Sequence, residues 1–184
     1  RSTLFPYTTL FRSPYRMGGS TGLGVLGYLE AMHEIILQER ELGINFDVVL
    51  HATGSGGTQA GLIAGKLLGN WPGQIIGVTV SRSAETQREK VRGVLASCAT
   101  LLDTDLSHAA VIARDEYFGE GYRKNTPAAQ AAIEMFARLE GVFLDQVYTG
   151  KAAAGLIDLA RRREFAADQN VLFLHTGGTV QLFE

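Results

Sequence analysis

The residues best suited to chemistry form the run Thr53-Gly54-Ser55-Gly56-Gly57-Thr58, which follows the apolar stretch Asp47 to Ala52 and precedes the small-residue stretch Gln59 to Leu68. Apolar run, glycine-rich turn and small-residue segment in that order predict strand, loop and helix. Such a junction can hold an anion. Gly54, Gly56 and Gly57 let successive backbone N–H groups turn toward one point, and a helix opening near Thr58 adds its unpaired amides and positive dipole end. Ser55 and Thr58 offer hydroxyl donors. A Walker loop would end in Gly-Lys-Ser/Thr, and a dinucleotide fingerprint would read Gly-x-Gly-x-x-Gly with an acidic residue about 20 positions on. The chain has neither, so the turn predicts a cup for a single phosphate monoester. A glycine-rich turn between strand and helix is also a common structural device, and the turn alone does not decide between the two.

Two later segments could face the same point. Tyr148-Thr149-Gly150-Lys151 sits where a turn feeds a helix, and the apolar run Val171 to Leu174 delivers His175 and Thr176 at its end, ahead of Gly177 and Gly178. In open parallel sheets ligands gather at the carboxyl ends of strands. The rest of the chain supplies the scaffold. Val25, Leu29, Met32 and Ile36 share one face of a helix ending near Arg40, expected to pack on a sheet, with Gly43 as its stop. Gln74 to Val80 is near-continuously apolar, as a parallel strand covered on both faces requires. Ser81 to Ser83 can cap a helix running to about Ser97, with Gln87, Arg88 and Lys90 on its wetter side. Val111-Ile112 is too short to predict a strand. Asp115 to Pro127, carrying Tyr117, Phe118 and Tyr122, predicts a long ordered loop of the kind that lines sites. Thr126-Pro127 opens a further helix by a cap followed by proline, with Ile133, Phe136 and Ala137 inward. Strands and helices alternate throughout, which predicts an α/β architecture with a mainly parallel sheet and helices on both faces.

Composition narrows the function classes. The 22 glycines among 184 residues exceed the usual share of roughly 7%, which suits tight turns and a ligand approached by backbone. A formal net charge of −2 leaves no basic field, so neither nucleic acid nor an anionic membrane is an expected partner. No apolar run reaches the length of a membrane span. Cys98 is the single cysteine, which points to a reducing, cytoplasmic setting and to a buried small apolar side chain. Four scattered histidines and one cysteine show no metal-ligand spacing, and no metal is expected.

Three segments together resemble one family. His51 to Gly61, Leu144 to Lys151 with the small residues Ala152 to Ala154 after it, and Phe173 to Thr179 look like the D-cysteine desulfhydrase and 1-aminocyclopropane-1-carboxylate deaminase group, pyridoxal-phosphate enzymes of the tryptophan-synthase β-like fold (fold type II). Gly18-Gly19-Ser20 and Val78 to Ser83 with Gln87 to Lys90 also fit, so the likeness spans roughly residues 14 to 184. The resemblance implies that Thr53, Gly54, Ser55, Gly56, Gly57 and Thr58 hold the phosphate of pyridoxal 5'-phosphate. It implies that Tyr148 lies by the pyridine ring as a catalytic residue, with Thr149 beside it. Thr176 is implied to face the ring nitrogen, where a hydroxyl leaves that nitrogen largely unprotonated. Deaminases of the group are expected to carry Glu after the tyrosine and Leu in place of Thr176. Thr149 and Thr176 therefore favour β-elimination from a cysteine-like amino acid, giving pyruvate and ammonia, over cyclopropane ring opening. A 1-aminocyclopropane-1-carboxylate deaminase, an L-cysteate sulfo-lyase with Arg16 as a candidate sulfonate donor, and a non-catalytic phosphate-binding remnant stay open as alternatives.

The chain also departs from the group's pattern. The family's Schiff-base lysine is expected upstream of Gly18-Gly19-Ser20, together with the small domain that grips the substrate carboxylate. Lys66, expected on an exposed helix side, Lys90 and Lys124, expected in polar surroundings, and Lys151, the lysine after Tyr-Thr-Gly, do not stand in that motif. Residues 1–13 resemble a translated sequencing-adapter scar rather than a genuine strand rich in Thr, Phe and Tyr. Residues 14–184 are accordingly expected to be the C-terminal half to two-thirds of an enzyme, inactive as a fragment and a homodimer at full length.

Overall fold

The computed structural model describes residues 19–183, so the expectations for residues 1–13 and for Arg16, Met17 and Gly18 lie outside the described residues. Four parallel strands form one sheet in the order β3-β2-β1-β4. β1 (Val48–Thr53) pairs with β2 (Gln74–Thr79) from Val48 opposite Gln74 to Thr53 opposite Thr79, and with β4 (Val171–Leu174) on its other side. β3 (Ile112–Arg114) pairs with β2, so a strand does form from Ile112 onward, where the sequence predicts none. Its neighbour β2 supplies the partner that three residues could not specify alone.

Helices cover both faces. On one, Val49 and Ile75 pack with Ala60, Ile63, Val91 and Leu95 from α2 (Gly57–Leu68) and α3 (Ala84–Leu102). On the other, Val48, Leu50, Ile76 and Val78 pack with Ala152 and Leu159 of α5 (Thr149–Arg161). α4 (Pro127–Leu139) lies on α5, where Ala132 meets Ala153 and Ala154. The alternation of strand residues between two apolar layers explains why β1 is buried at every position.

Three local expectations change. α1 (Leu26–Leu42) packs on α2, one layer out from the sheet, because Gly61 and Gly65 let its backbone approach Val25, Leu29 and Met32. It ends at Gly43, whose φ of 65° is the left-handed stop the sequence predicts. α3 runs five residues past Ser97 to Leu102, its inward face continuing through Cys98. Gln87 sits on the buried side of α3, fully enclosed, because its amide is satisfied at both ends: Nε2 donates to Thr53 Oγ1 at 2.8 Å and Oε1 accepts from Arg82 at 3.3 Å. Ser83 caps α3 by accepting from Thr86 N, and Thr126 caps α4 by accepting from Ala129 N ahead of Pro127.

Candidate active site

The loops that leave the carboxyl ends of β1, β2 and β4 reach the same cavity of about 580 Å³. From β1 the chain turns through Gly54 and Ser55 to Gly56, which caps α2 at φ 91°, a conformation that suits glycine. α2 then points its amino end, with Thr58 in the first turn, at the cavity. β2 contributes Val80, Ser81 and Arg82, and β4 contributes Thr176, Gly177 and Gly178. Lys90 of α3, Tyr122 of the 115–126 loop and Tyr148 complete the wall.

The charge of this lining has one sign. Arg82 and Lys90 are cations, and among the described residues no Asp or Glu lines the cavity. The Arg82 guanidinium is fixed: Nη1 donates to Gly54 O at 2.8 Å and to Gln87 Oε1, while its own carbonyl accepts from Thr79 Oγ1 at 2.7 Å. Burial, reinforced by the Arg82 charge, holds the Lys90 amine below its ordinary range. An anion entering here relieves that repulsion. Helix amino end, hydroxyls and two cations are the donors a phosphate monoester needs.

Two tyrosines share this wall, the Tyr148 ring lying against Gly54. Tyr122 and Tyr148 meet hydroxyl to hydroxyl, their rings 6.0 Å apart and edge to face. Burial first, then the Tyr122 hydroxyl, push the Tyr148 phenol up to about 12, so it carries its proton throughout the neutral range. Tyr148 is held from below by Asp145. That fully buried carboxylate accepts from the amides of Val147, Tyr148 and Thr149 at 2.7–2.8 Å and from Thr149 Oγ1, closing the amino end of α5.

Among the residues singled out from sequence, Gly54, Ser55, Thr58, Tyr148 and Thr176 come together around the cavity. Thr53, Gly56, Gly57 and Thr149 stand behind it. Thr53 Oγ1 is taken by Gln87, Gly57 N donates to Ser20 Oγ at 3.1 Å, Gly56 packs on Val91, and the Thr149 hydroxyl turns into Asp145. Lys66 is half-buried rather than exposed, its ammonium bonded to the Gly73 carbonyl and 6.0 Å over the Trp71 ring. Sequence reasoning assigned no site role to Arg82, Lys90 or Asp145, and it placed Tyr122 only within a loop of the kind that lines sites. For Tyr122 the signal was present in the aromatic, glycine-bearing loop; a buried Asp four residues before a helix-opening Thr is a cap signal that also went unused.

Comparison with known proteins gives the family and the fold. The family model described as pyridoxal-phosphate dependent enzyme matches residues 8–177. The chain belongs to the pyridoxal-phosphate dependent enzymes. Within that family it is 44% identical over 169 residues to the D-cysteine desulfhydrase of Yersinia enterocolitica, an alignment covering 91% of this chain and 50% of that protein. The crystal structure of an ACC deaminase homologue superposes with a TM-score of 0.77 at 36% identity, covering 88% of this chain and 47% of the other. The processed form of threonine deaminase isoform 2 from Solanum lycopersicum shares the fold, with a TM-score of 0.55 at 17% identity over 84% of this chain and 43% of its own. The fold is thus that of the fold type II members of this family, and the chain spans about half the length of the relatives it matches.

Proposed function

We propose that this chain carries the cofactor pocket of a β-elimination lyase of the D-cysteine desulfhydrase kind, a protein that converts D-cysteine to pyruvate, sulfide and ammonia. The observation that carries this reading is the lining itself: a helix amino end with Ser55, Thr58, Arg82 and Lys90, two tyrosines, and no carboxylate among the described residues. A dianionic monoester fits such a set, and an aromatic ring fits beside Tyr148 with the Thr176 hydroxyl at the strand end. When bound, pyridoxal phosphate supplies the electron sink that stabilises the carbanion left at a substrate Cα. The chain's own residues do the remainder. Arg82 fixes the Gly54 carbonyl and so shapes the cup, and Lys90 adds charge to it. Tyr148, protonated at neutral pH, can donate from Oη to a departing sulfur, and Tyr122 accepts from or donates to the same hydroxyl.

The choice of β-elimination over ring opening is supported by the relative at 44% identity and by positions 149 and 176. Thr149 gives the cavity no acid, its hydroxyl being engaged by Asp145. The likeness to an ACC deaminase homologue keeps ring opening as the competing chemistry. The same proposal includes a small amino acid as the only partner besides further copies of the chain, as a homodimer in the cytoplasm. Among the described residues no helix is long and apolar enough to cross a membrane.

Two measurements test the proposal. Calorimetric titration of the chain with pyridoxal phosphate and with pyridoxal is expected to favour the phosphate ester by roughly tenfold or more, and Ser55→Asp is expected to erase the preference. Equal affinities for the two ligands would remove the phosphate cup. Release of the 2-oxo acid and ammonia by the full-length protein, pyruvate from D-cysteine against 2-oxobutanoate from 1-aminocyclopropane-1-carboxylate, then separates the two chemistries; turnover of the second substrate alone overturns β-elimination.

A further inference from the structure

Lys151 is the largest side chain fully buried among the described residues, and neither the cup nor the tyrosine pair uses it. Its position is unfavourable twice over. It stands in the first turn of α5, where the helix dipole repels a cation, and burial pulls its amine below the ordinary range, with the Asp145 carboxylate opposing that shift. Among the described residues the partners of the ammonium are not carboxylates. Nζ donates instead to three main-chain carbonyls: Val80 at 3.2 Å, Phe118 at 2.9 Å and Gly121 at 2.8 Å. Neutral carbonyl oxygens converging from separate segments are the ligand set of a hard monovalent cation, and an ammonium is close to potassium in size.

The three carbonyls come from meaningful places. Val80 follows β2 and lines the cavity, while Phe118 and Gly121 belong to one turn of the 115–126 loop, in which Gly121 N also donates to Phe118 O. Tyr122 is the next residue along. Tyr148, its hydroxyl partner, precedes Lys151 by three residues at the start of α5. We infer that the Lys151 ammonium is the tethered occupant of a monovalent-cation site made by the Val80, Phe118 and Gly121 carbonyls, and that this charge positions the Tyr122 loop against Tyr148. Lys151 is on this account a positioning residue, and an untethered cation should replace its charge once the stem is removed.

The test uses Lys151→Ala in chloride salts of potassium, ammonium, sodium and tetramethylammonium at equal ionic strength. In tetramethylammonium the thermal midpoint is expected to fall by about 5 °C or more, and potassium or ammonium should restore at least half of the loss. The parent chain should not distinguish the four salts. A Lys151→Ala protein with the same midpoint in every salt overturns the inference. Lys151→Met keeps the stem without the charge and decides the matter if the alanine variant does not fold. Hydrogen exchange in Lys151→Met is expected to rise at least tenfold in residues 118–124 and to stay unchanged in β1. Faster exchange spread evenly over the sheet, or none in the loop, would make Lys151 ordinary core filling.

Discussion

His51 shows how a single buried side chain can set the acid limit of this protein. It lies inside β1, fully enclosed, with Nδ1 2.8 Å from the Ala52 carbonyl and, among the described residues, no hydrogen-bond partner for Nε2. Burial lowers its pKa to about 4, with the Ala52 carbonyl opposing the shift. An unfolded histidine binds its proton near 6.5, so between that value and 4 the unfolded chain holds more protons than the folded one. Stability from the neutral ring is therefore complete above about pH 6.5 and is lost as pH falls toward 4, on the order of 3 kcal/mol over the window. Urea midpoints measured from pH 7.5 to 4 in the parent and in His51→Leu, an apolar replacement of similar volume, isolate this contribution. The parent should fall more steeply by that amount. Parallel slopes in the two proteins would mean that His51 does not titrate differently on unfolding. Residue chemistry of this kind was only partly legible in the sequence. Gly54, Ser55 and Thr58, which line the cavity, could be singled out because glycines and hydroxyls between a strand and a helix can form an anion cup, although the same turn also serves as a structural device. Arg82 did not, since nothing in Ser81-Arg82-Ser83 reveals that its guanidinium returns to the Gly54 carbonyl.

At the scale of elements, packing between α1 and α2 depends on two glycines that helix propensity alone would exclude. A Cβ on Gly61 would stand 2.5 Å from both Tyr28 Cβ and Val25 O, and 3.0 Å from Leu29 N. Two of those contacts are main chain and cannot rotate away. Alanine in a helix interior gains about 1 kcal/mol over glycine by propensity, whereas overpacking against backbone costs about 1–3 kcal/mol. Two main-chain contacts put the cost at the upper end of that range, and Gly61→Ala should destabilise by up to ~2 kcal/mol net in a denaturant titration. Gly27→Ala on α1, where a Cβ would meet nothing within 4 Å, should instead be neutral or stabilising. If both substitutions stabilise, the close crossing is not present in solution. The period of apolar residues revealed that α1 is amphipathic but not which neighbour it faces, because a helix with small residues and a sheet offer the same apolar surface. The burial of Gln87 was hidden for a related reason: a polar residue on an inner helix face is readable only once its partners, Thr53 and Arg82, are known to converge. Strand order was likewise beyond the pattern, although three apolar runs separated by helices already pointed to parallel pairing.

For the molecule as a whole, the uneven distribution of apolar surface matters most. Leu139 is 73% exposed and Phe143 65% exposed, with Val142 between them also exposed, all at the end of α4 and just beyond it. The turn that presents them is fixed by Gly141 at φ 67° and by Val142 N donating to Phe136 O, so they are held outward rather than free to fold back. β4 adds a second attraction, since among the described residues it pairs only with β1 and its outer side offers unpaired amides and carbonyls at the sheet edge. Large side chains clustered on a surface of net charge −2 meet little electrostatic resistance to association. The chain is expected to self-associate as its concentration rises, with the α4 end rather than β4 as the main contact, because main-chain pairing at an edge adds less than burial of a leucine and a phenylalanine at about 1.5–3 kcal/mol each. Sedimentation velocity over a hundredfold concentration range in the parent, in the pair Leu139→Lys and Phe143→Lys, and in Phe173→Pro at the β4 edge tells the two surfaces apart. The lysine pair should shift the midpoint of association upward by tenfold or more, a change of about 1.4 kcal/mol, at unchanged thermal stability. Were the proline variant alone to abolish association, the edge would be the interface; a parent that stays monomeric at every concentration would leave neither surface adhesive.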